Sequence, residues 1–180
     1  QSQKIPLLQE DSLPVISVQN DYSPDVQQGQ SNEITDWQSF SSKTNGVRFK
    51  YPHNYQLPED RENYISLLSP LSTTPNKSFI VEEDELKMEI VIFEATPNDT
   101  VEAWSKEYLT QTDINEKVTE DGTTTIGTKP AIILRSEGMG IAKLYLLIHN
   151  GKRILIVKYP YVSERDDEFE QILSTIQFEG

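Results

Sequence analysis

The 180-residue chain has no cysteine and only two histidines, His53 and His149. The first absence removes disulfides, thiolate nucleophiles and the Cys-rich zinc sites. The second leaves too few imidazoles for a multi-histidine metal centre. Basic charge is also scarce: 16 Lys and Arg face 29 Asp and Glu, a formal net charge of -13. Nucleic acid is thereby disfavoured as a partner, because phosphate binding needs a basic surface. Adsorption to anionic lipid is disfavoured for the same reason. No apolar run is long enough to span a bilayer. The chain starts at Gln1 rather than Met, so any membrane anchor is expected to lie ahead of it.

What is present suits one domain with a sizeable core, preceded by a tail. Residues 1–35 read as a flexible polar tether. Gln, Ser, Asp and Pro dominate there, the apolar residues follow no sustained period, and Pro6, Pro14 and Pro24 oppose a helix. Within it, residues 13–18 have the composition of a short strand that an exposed sheet edge would accept. Residues 36–180 read as the folded domain.

The centre of that domain is the pair of apolar runs at 144–148 and 154–157, joined through Asn150-Gly151. That dipeptide accepts positive φ at both centres of a type I′ turn, so the runs predict an antiparallel hairpin. Neither run alternates apolar with polar. Both faces of these strands therefore need cover, which a sheet with one wet face does not supply.

Around the hairpin, Trp37 and Phe40 are expected to be the first core anchors. After the turn at Asn45-Gly46, residues 47–51 alternate, placing Val47, Phe49 and Tyr51 on one face until Pro52 stops the strand. Residues 65–68 and 88–93 read as further strands, and 71–85 as a long exposed loop. Asp99 with Glu102 resembles a capping box, and Val101, Trp104 and Tyr108 then form one helical stripe. Asp121-Gly122 reads as a turn, Gly127 and Pro130 as interruptions before a strand at 131–134, and Gly138-Met139-Gly140 as the turn into the central hairpin. Ser163 and Asp166 form a second capping box ahead of the stripe Phe169, Ile172, Leu173 and Ile176. A short strand at 176–178 closes the domain.

The fold class is α+β, a mainly antiparallel β-sheet with helices against it.

Reaction chemistry finds little purchase. Neither helix start carries the glycines, Lys and Ser or Thr of a phosphate-cradling loop. Ser136-Glu137-Gly138 lacks the glycine that would precede a serine nucleophile. His149 beside the hairpin turn and His53 after Pro52 both read as solvated turn residues. Carboxylate pairs suited to glycosidic chemistry abound only because acids abound. The run Glu82, Glu83, Asp84 and Glu85 has the oxygen ligands a Ca²⁺ ion takes. Without the alternating Asp pattern and glycine of a calcium loop, it reads as a solvated acidic loop. No metal and no cofactor is expected. Asn76-Lys77-Ser78 and Asn98-Asp99-Thr100 would be glycosylation acceptors in a eukaryotic secretory setting only.

Two segments resemble a known family. Trp37-Gln38-Ser39-Phe40, followed by Asn45-Gly46-Val47-Arg48-Phe49-Lys50-Tyr51-Pro52-His53-Asn54-Tyr55, is similar to the opening of PsbP-like domains, with their GF-x-F-x-YP strand and an aromatic a few residues on. The strand–Asn-Gly–strand hairpin and Phe169-Glu170-Gln171-Ile172-Leu173-Ser174-Thr175 resemble the family's closing elements, and Pro130-Ala131 also fits. Val47 replaces the usual Phe and Tyr55 stands where Trp is common. The resemblance covers residues 37–180 and implies the Mog1/PsbP-like fold, an antiparallel sheet sandwiched between helices. It implies a generally non-enzymatic protein and carries over no ligand residue.

The resulting expectation is a non-catalytic, extracytoplasmic binding or assembly module: a monomer tethered to a membrane through its N-terminus and engaging a protein partner. Its surroundings would be a cell surface, a periplasm or a thylakoid lumen. An extrinsic subunit or assembly factor of a photosynthetic (photosystem II) complex is the alternative. A carbohydrate- or small-molecule-processing enzyme using surface carboxylates ranks below both.

Overall fold

A computed structural model describes residues 36–70, 84–110, 117–138 and 140–179. Residues 1–35, expected to be a tether, Asn76 with its acceptor triplet, Glu82 and Glu83 lie outside the described residues. The elements run β1 (Gln38–Ser42), β2 (Val47–Tyr51), β3 (Glu59–Arg61), β4 (Tyr64–Leu68), β5 (Lys87–Glu94) and α1 (Val101–Thr110). They continue with β6 (Lys117–Ile126), β7 (Lys129–Glu137), β8 (Ile141–His149), β9 (Lys152–Tyr159), α2 (Asp166–Thr175) and β10 (Gln177–Phe178). A seven-stranded sheet has the order β3-β4-β5-β9-β8-β7-β6, and a three-stranded one the order β1-β2-β10. All pairings are antiparallel.

The expected hairpin is β8–β9, at the middle of the larger sheet. His149 pairs with Lys152 across the two-residue turn, where Asn150 and Gly151 both have positive φ, 48° and 71°. Its side chains divide between two cores, as the non-alternating runs require. Tyr145, Leu147, Ile154 and Ile156 join Val47, Phe49, Tyr51, Phe169 and Ile172 in a core under α2 and the smaller sheet. Leu144, Leu146, Leu155 and Val157 join Trp104 and Leu134 in a second core under α1. Trp37 and Phe40 pack partly buried against the first. The fold is therefore α+β, a mostly antiparallel sheet with one helix on each face.

Several local readings are corrected. β1 and β3 are strands, though their sequences, QSFSS and EDR, lack the composition of one. Pairing with the apolar β2 and β4 recruits them. Asp121-Gly122 is a β-bulge inside the continuous strand β6, not a turn. Gly122 has φ 136°, which glycine tolerates and which swings Asp121 out of the ladder. The Asp121 carboxylate there accepts from the Tyr161 hydroxyl at 3.1 Å. The turn between β6 and β7 falls instead at Gly127-Thr128, and Pro130 sits within β7 opposite Thr125.

At the start of α1 the cap is Thr100, whose Oγ1 accepts from the Ala103 amide at 3.1 Å. Asp99 is drawn away by Thr96 and Arg153. The second capping box forms only in part: the Ser163 amide donates to Asp166 Oδ1 and the Arg165 amide to Ser163 Oγ, each at 3.1 Å, but the residue at the N-cap of α2 is Arg165, which has no side-chain cap. The two bonds organise the turn leading into α2.

Candidate functional site

Several half-buried and buried charges of the domain are tied to one another. Lys158, 2% exposed, meets Asp166 at 2.5 Å and donates to the carbonyls of Pro160 and Tyr161. It thereby pins the end of β9 to the start of α2. Arg165 pairs with Glu168, whose carboxylate also accepts from the Tyr55 hydroxyl at 2.6 Å. Burial first, and Glu168 second, push the Tyr55 hydroxyl far above the ordinary tyrosine range. Burial does the same to Tyr145, with Glu170 adding to it.

On the opposite face, Arg153 reaches Asp99 at 2.6 Å and Glu107 at 3.0 Å, with its guanidinium over the Trp104 ring. The hydrogen bond from Arg153, followed by those from Thr96, holds the Asp99 carboxyl well below its ordinary value. The Lys158, Tyr145 and Arg153 contacts join strands to helices or their approaches, the Tyr55–Glu168–Arg165 cluster joins α2 to the loop after β2, and their geometry is that of structural fastening.

The acidic run separates into unlike residues. Asp84 is exposed and its carbonyl accepts from Arg165 Nε. Glu85 is 4% exposed, which corrects its assignment to an exposed loop. It is followed by the buried Leu86 and the core strand β5, and its carbonyl accepts from Ser163 Oγ. Among the described residues no group of three or more His, Asp or Glu is placed to hold a metal ion. Ser136 is buried within β7, and His53 is exposed with its carbonyl accepting from Gln38.

His149 departs from the expectation of a solvated turn residue, because it is half-buried. β10 folds back beside β2 and lays Phe178 against the imidazole, with ring centroids 5.5 Å apart. His149 Nε2 lies 3.4 Å from the Glu179 carbonyl oxygen, while Nδ1 is out of contact with solvent and has no hydrogen-bond partner. No local pattern announces this arrangement, since Phe178 is 29 residues further along the chain.

Beside His149 opens a groove of about 430 Å³, bounded by the β6–β7 turn on one side and residues 174–178 on the other. Thr128, Lys129, His149, Ser174, Gln177 and Phe178 line it, with Gly127 and Ile176. Gly127 has φ +60°, and a Cβ there would stand 3.1 Å from the Ile176 carbonyl oxygen, so glycine lets the turn close on the end of α2. Gln177 Oε1 accepts from Arg48 Nε at 2.7 Å, which leaves the amide N–H₂ to other partners. The same turn ends β6, the edge strand of the larger sheet, which is paired on one side only among the described residues.

No protein-family model matches this chain, and no curated protein matches it by sequence. Solved structures do match. A crystal structure from Bacteroides thetaiotaomicron aligns at a TM-score of 0.51 and 14% identity over 81% of this chain. The chain spans about half, 49%, of that structure's length. The solution structure of cyanobacterial PsbP (CyanoP) from Synechocystis sp. PCC 6803 aligns at a TM-score of 0.49 and 12% identity, covering 82% of this chain and 95% of that one. A point mutant of the protein Mog1 aligns at 0.49 and 9%, covering 79% and 95%. PsbP and Mog1, to which the sequence motifs pointed, are thus both among the structural neighbours. At such identities the likeness concerns the fold alone and brings no ligand or partner to this chain.

Proposed function

We propose that this chain is a non-catalytic binding or assembly module for a protein partner, acting as a monomer outside the cytoplasm. Its N-terminal side tethers it to a membrane, and it works without a bound cofactor. The observation that carries the binding reading is the edge strand β6, ten residues long and open on one side among the described residues. Such an edge presents unpaired N–H and C=O groups to which an extended segment of a partner adds as a further strand. The opposite edge, β3, has three residues and is too short for the purpose. The bulge at Asp121 divides the β6 edge into two regular stretches, 117–120 and 122–126, the second being the one nearest the groove.

Two further features support the reading. The charged clusters fasten helices to strands or to the loop after β2, leaving none of them poised over a substrate-sized cleft. The polar, Pro-interrupted composition of residues 1–35 suits a spacer between anchor and domain.

Cross-linking of the full-length protein in its native membranes, followed by mass spectrometry, tests the proposal. One stoichiometric membrane complex, linked through Lys117 and Lys129 at the two ends of the β6 edge, is the expected result. Scattered, substoichiometric neighbours would overturn it. So would a thermal shift with sugars or nucleotides of the size a specific ligand produces, about 2.7 kcal/mol at 100 times its Kd.

A further inference from the structure

We infer that the groove beside the β6–β7 turn is an oxyanion site, built to take a carboxylate or phosphate group. The inference deepens the binding-module reading, in which the partner supplies that group as an acidic side chain or chain terminus. Its ground is a local reversal of sign. The chain carries a net charge of -13, yet no side chain lining this groove is a carboxylate.

Lys129 is the centre of the site. It is half-buried and forms no ion pair among the described residues, whereas the likewise half-buried Lys87, Lys152, Arg153 and Arg165 each have a carboxylate partner and Lys143 lies over the Tyr145 and Tyr161 rings. With no carboxylate partner among the described residues, its ammonium is available to an anion in the groove, which would accept a charge-assisted hydrogen bond from it. Gln177 adds a neutral donor: Arg48 holds its oxygen, so the amide N–H₂ is the end free to donate. The Thr128 hydroxyl completes the donor set. The half-buried Phe178 ring gives the groove an apolar side, beside which charge-assisted hydrogen bonds are stronger than in open water.

One feature opposes an anion. The C-terminal end of α2 borders the groove, and a helix C-terminus carries about half a negative charge. Here three of the carbonyls near that end are already engaged. Ser174 Oγ donates to Gln171, Thr175 Oγ1 to Ile172 and the Ile176 amide to Leu173. The full charge of Lys129 outweighs the half charge of the helix end. Glu179, next along the chain, is exposed and its amide is held by the Gly46 carbonyl at 2.7 Å.

The two histidines make a self-contained assay. His149 lines the groove, while His53 is exposed and does not line it, so their imidazole NMR signals serve as reporter and internal control. The full 180-residue protein is titrated at fixed pH with inorganic phosphate and with acetate, against chloride at matched ionic strength. The expected result is a saturable shift of His149 with both oxyanions and none of His53. In Lys129→Gln the affinity falls about tenfold or more, the loss typical of one charged hydrogen bond. Lys117→Gln, at the far end of β6, leaves it unchanged. Equal shifts of both histidines, a linear response, or an undiminished one in folded Lys129→Gln would overturn the inference.

Repeating the membrane cross-linking with Lys129→Gln separates the sources of the anion. Loss of the partner assigns the group to the partner, and a retained partner assigns the site to a free anion and overturns that assignment. A silent groove with cross-linking intact defeats the oxyanion inference alone. Oxyanion binding with no partner captured defeats the module reading alone.

Discussion

Leu146 and Leu147 are consecutive residues of β8, each 0% exposed, and they face opposite ways. Leu147 lies in the core under α2 and Leu146 in the core under α1. Truncating either to alanine removes three carbons, worth roughly 2 kcal/mol in transfer free energy at about 0.8 kcal/mol per buried methylene. The cavity left behind raises the total to about 3–4 kcal/mol. For a domain of this size that corresponds to a fall in Tm of about 10 °C for each variant. Because the two side chains occupy separate cores, Leu146→Ala/Leu147→Ala should lose close to the sum of the single effects. Urea titration of the three variants, followed by tryptophan fluorescence with an unchanged m-value, measures this directly. A sheet with one wet face makes a different prediction: one substitution costs the full amount and the other less than about 1 kcal/mol. That asymmetry would refute the two-core account.

Three other perturbations probe its parts. Gly127→Ala should be more damaging than Gly151→Ala. Both positions have positive φ and cost about 1–2 kcal/mol for that reason alone, but only at Gly127 does the new Cβ meet a neighbour, the Ile176 carbonyl oxygen. Equal losses on thermal melting would show that the turn does not close on α2. Tyr55→Phe removes the hydroxyl that donates to Glu168 and should cost about 1 kcal/mol, read from the urea midpoint; no change would mean the contact contributes nothing. Asp99 is held below its ordinary value of 3.8, so its contribution to stability is complete above that pH and is lost as pH falls toward its folded value. Asp99→Asn should therefore flatten the decline of the urea midpoint between about pH 4 and pH 2, and parallel slopes in the two proteins would contradict the Arg153–Asp99 pairing.

The sequence was most informative where one physical requirement dominated. Two non-alternating apolar runs around Asn150-Gly151 dictate both the hairpin and its double cover, because no other placement buries residues 144–147 on both sides. The stripe of α2 and the bond from the Ser163 amide to Asp166 are equally local, and each appears in the structure. Legibility fails where partners lie far apart in the chain. β1 is polar in composition and becomes a strand only by pairing with β2. Asp121-Gly122 has the composition of a turn, yet Tyr161, 40 residues on, gives the displaced carboxylate a partner, and a bulge results. Asp99 and Thr100 are both good caps by residue type, and Arg153 in β9 decides between them. The groove is assembled from the β6–β7 turn, the end of β8 and the α2–β10 junction, so no stretch of sequence contains it. An unpaired Lys129 looks like any surface lysine until the neighbouring chain is in place.

The central claim is a sheet sealed on both faces and, among the described residues, open along β6. Hydrogen exchange of the purified protein, resolved by amide, tests it most directly. The account predicts that β8 and β9 amides exchange slowest, at a rate set by global unfolding. It predicts fast exchange for the alternate β6 amides that point away from β7. Slow exchange of those outward amides in the isolated protein would mean that the edge is already covered, and the proposed docking strand would have no place to add.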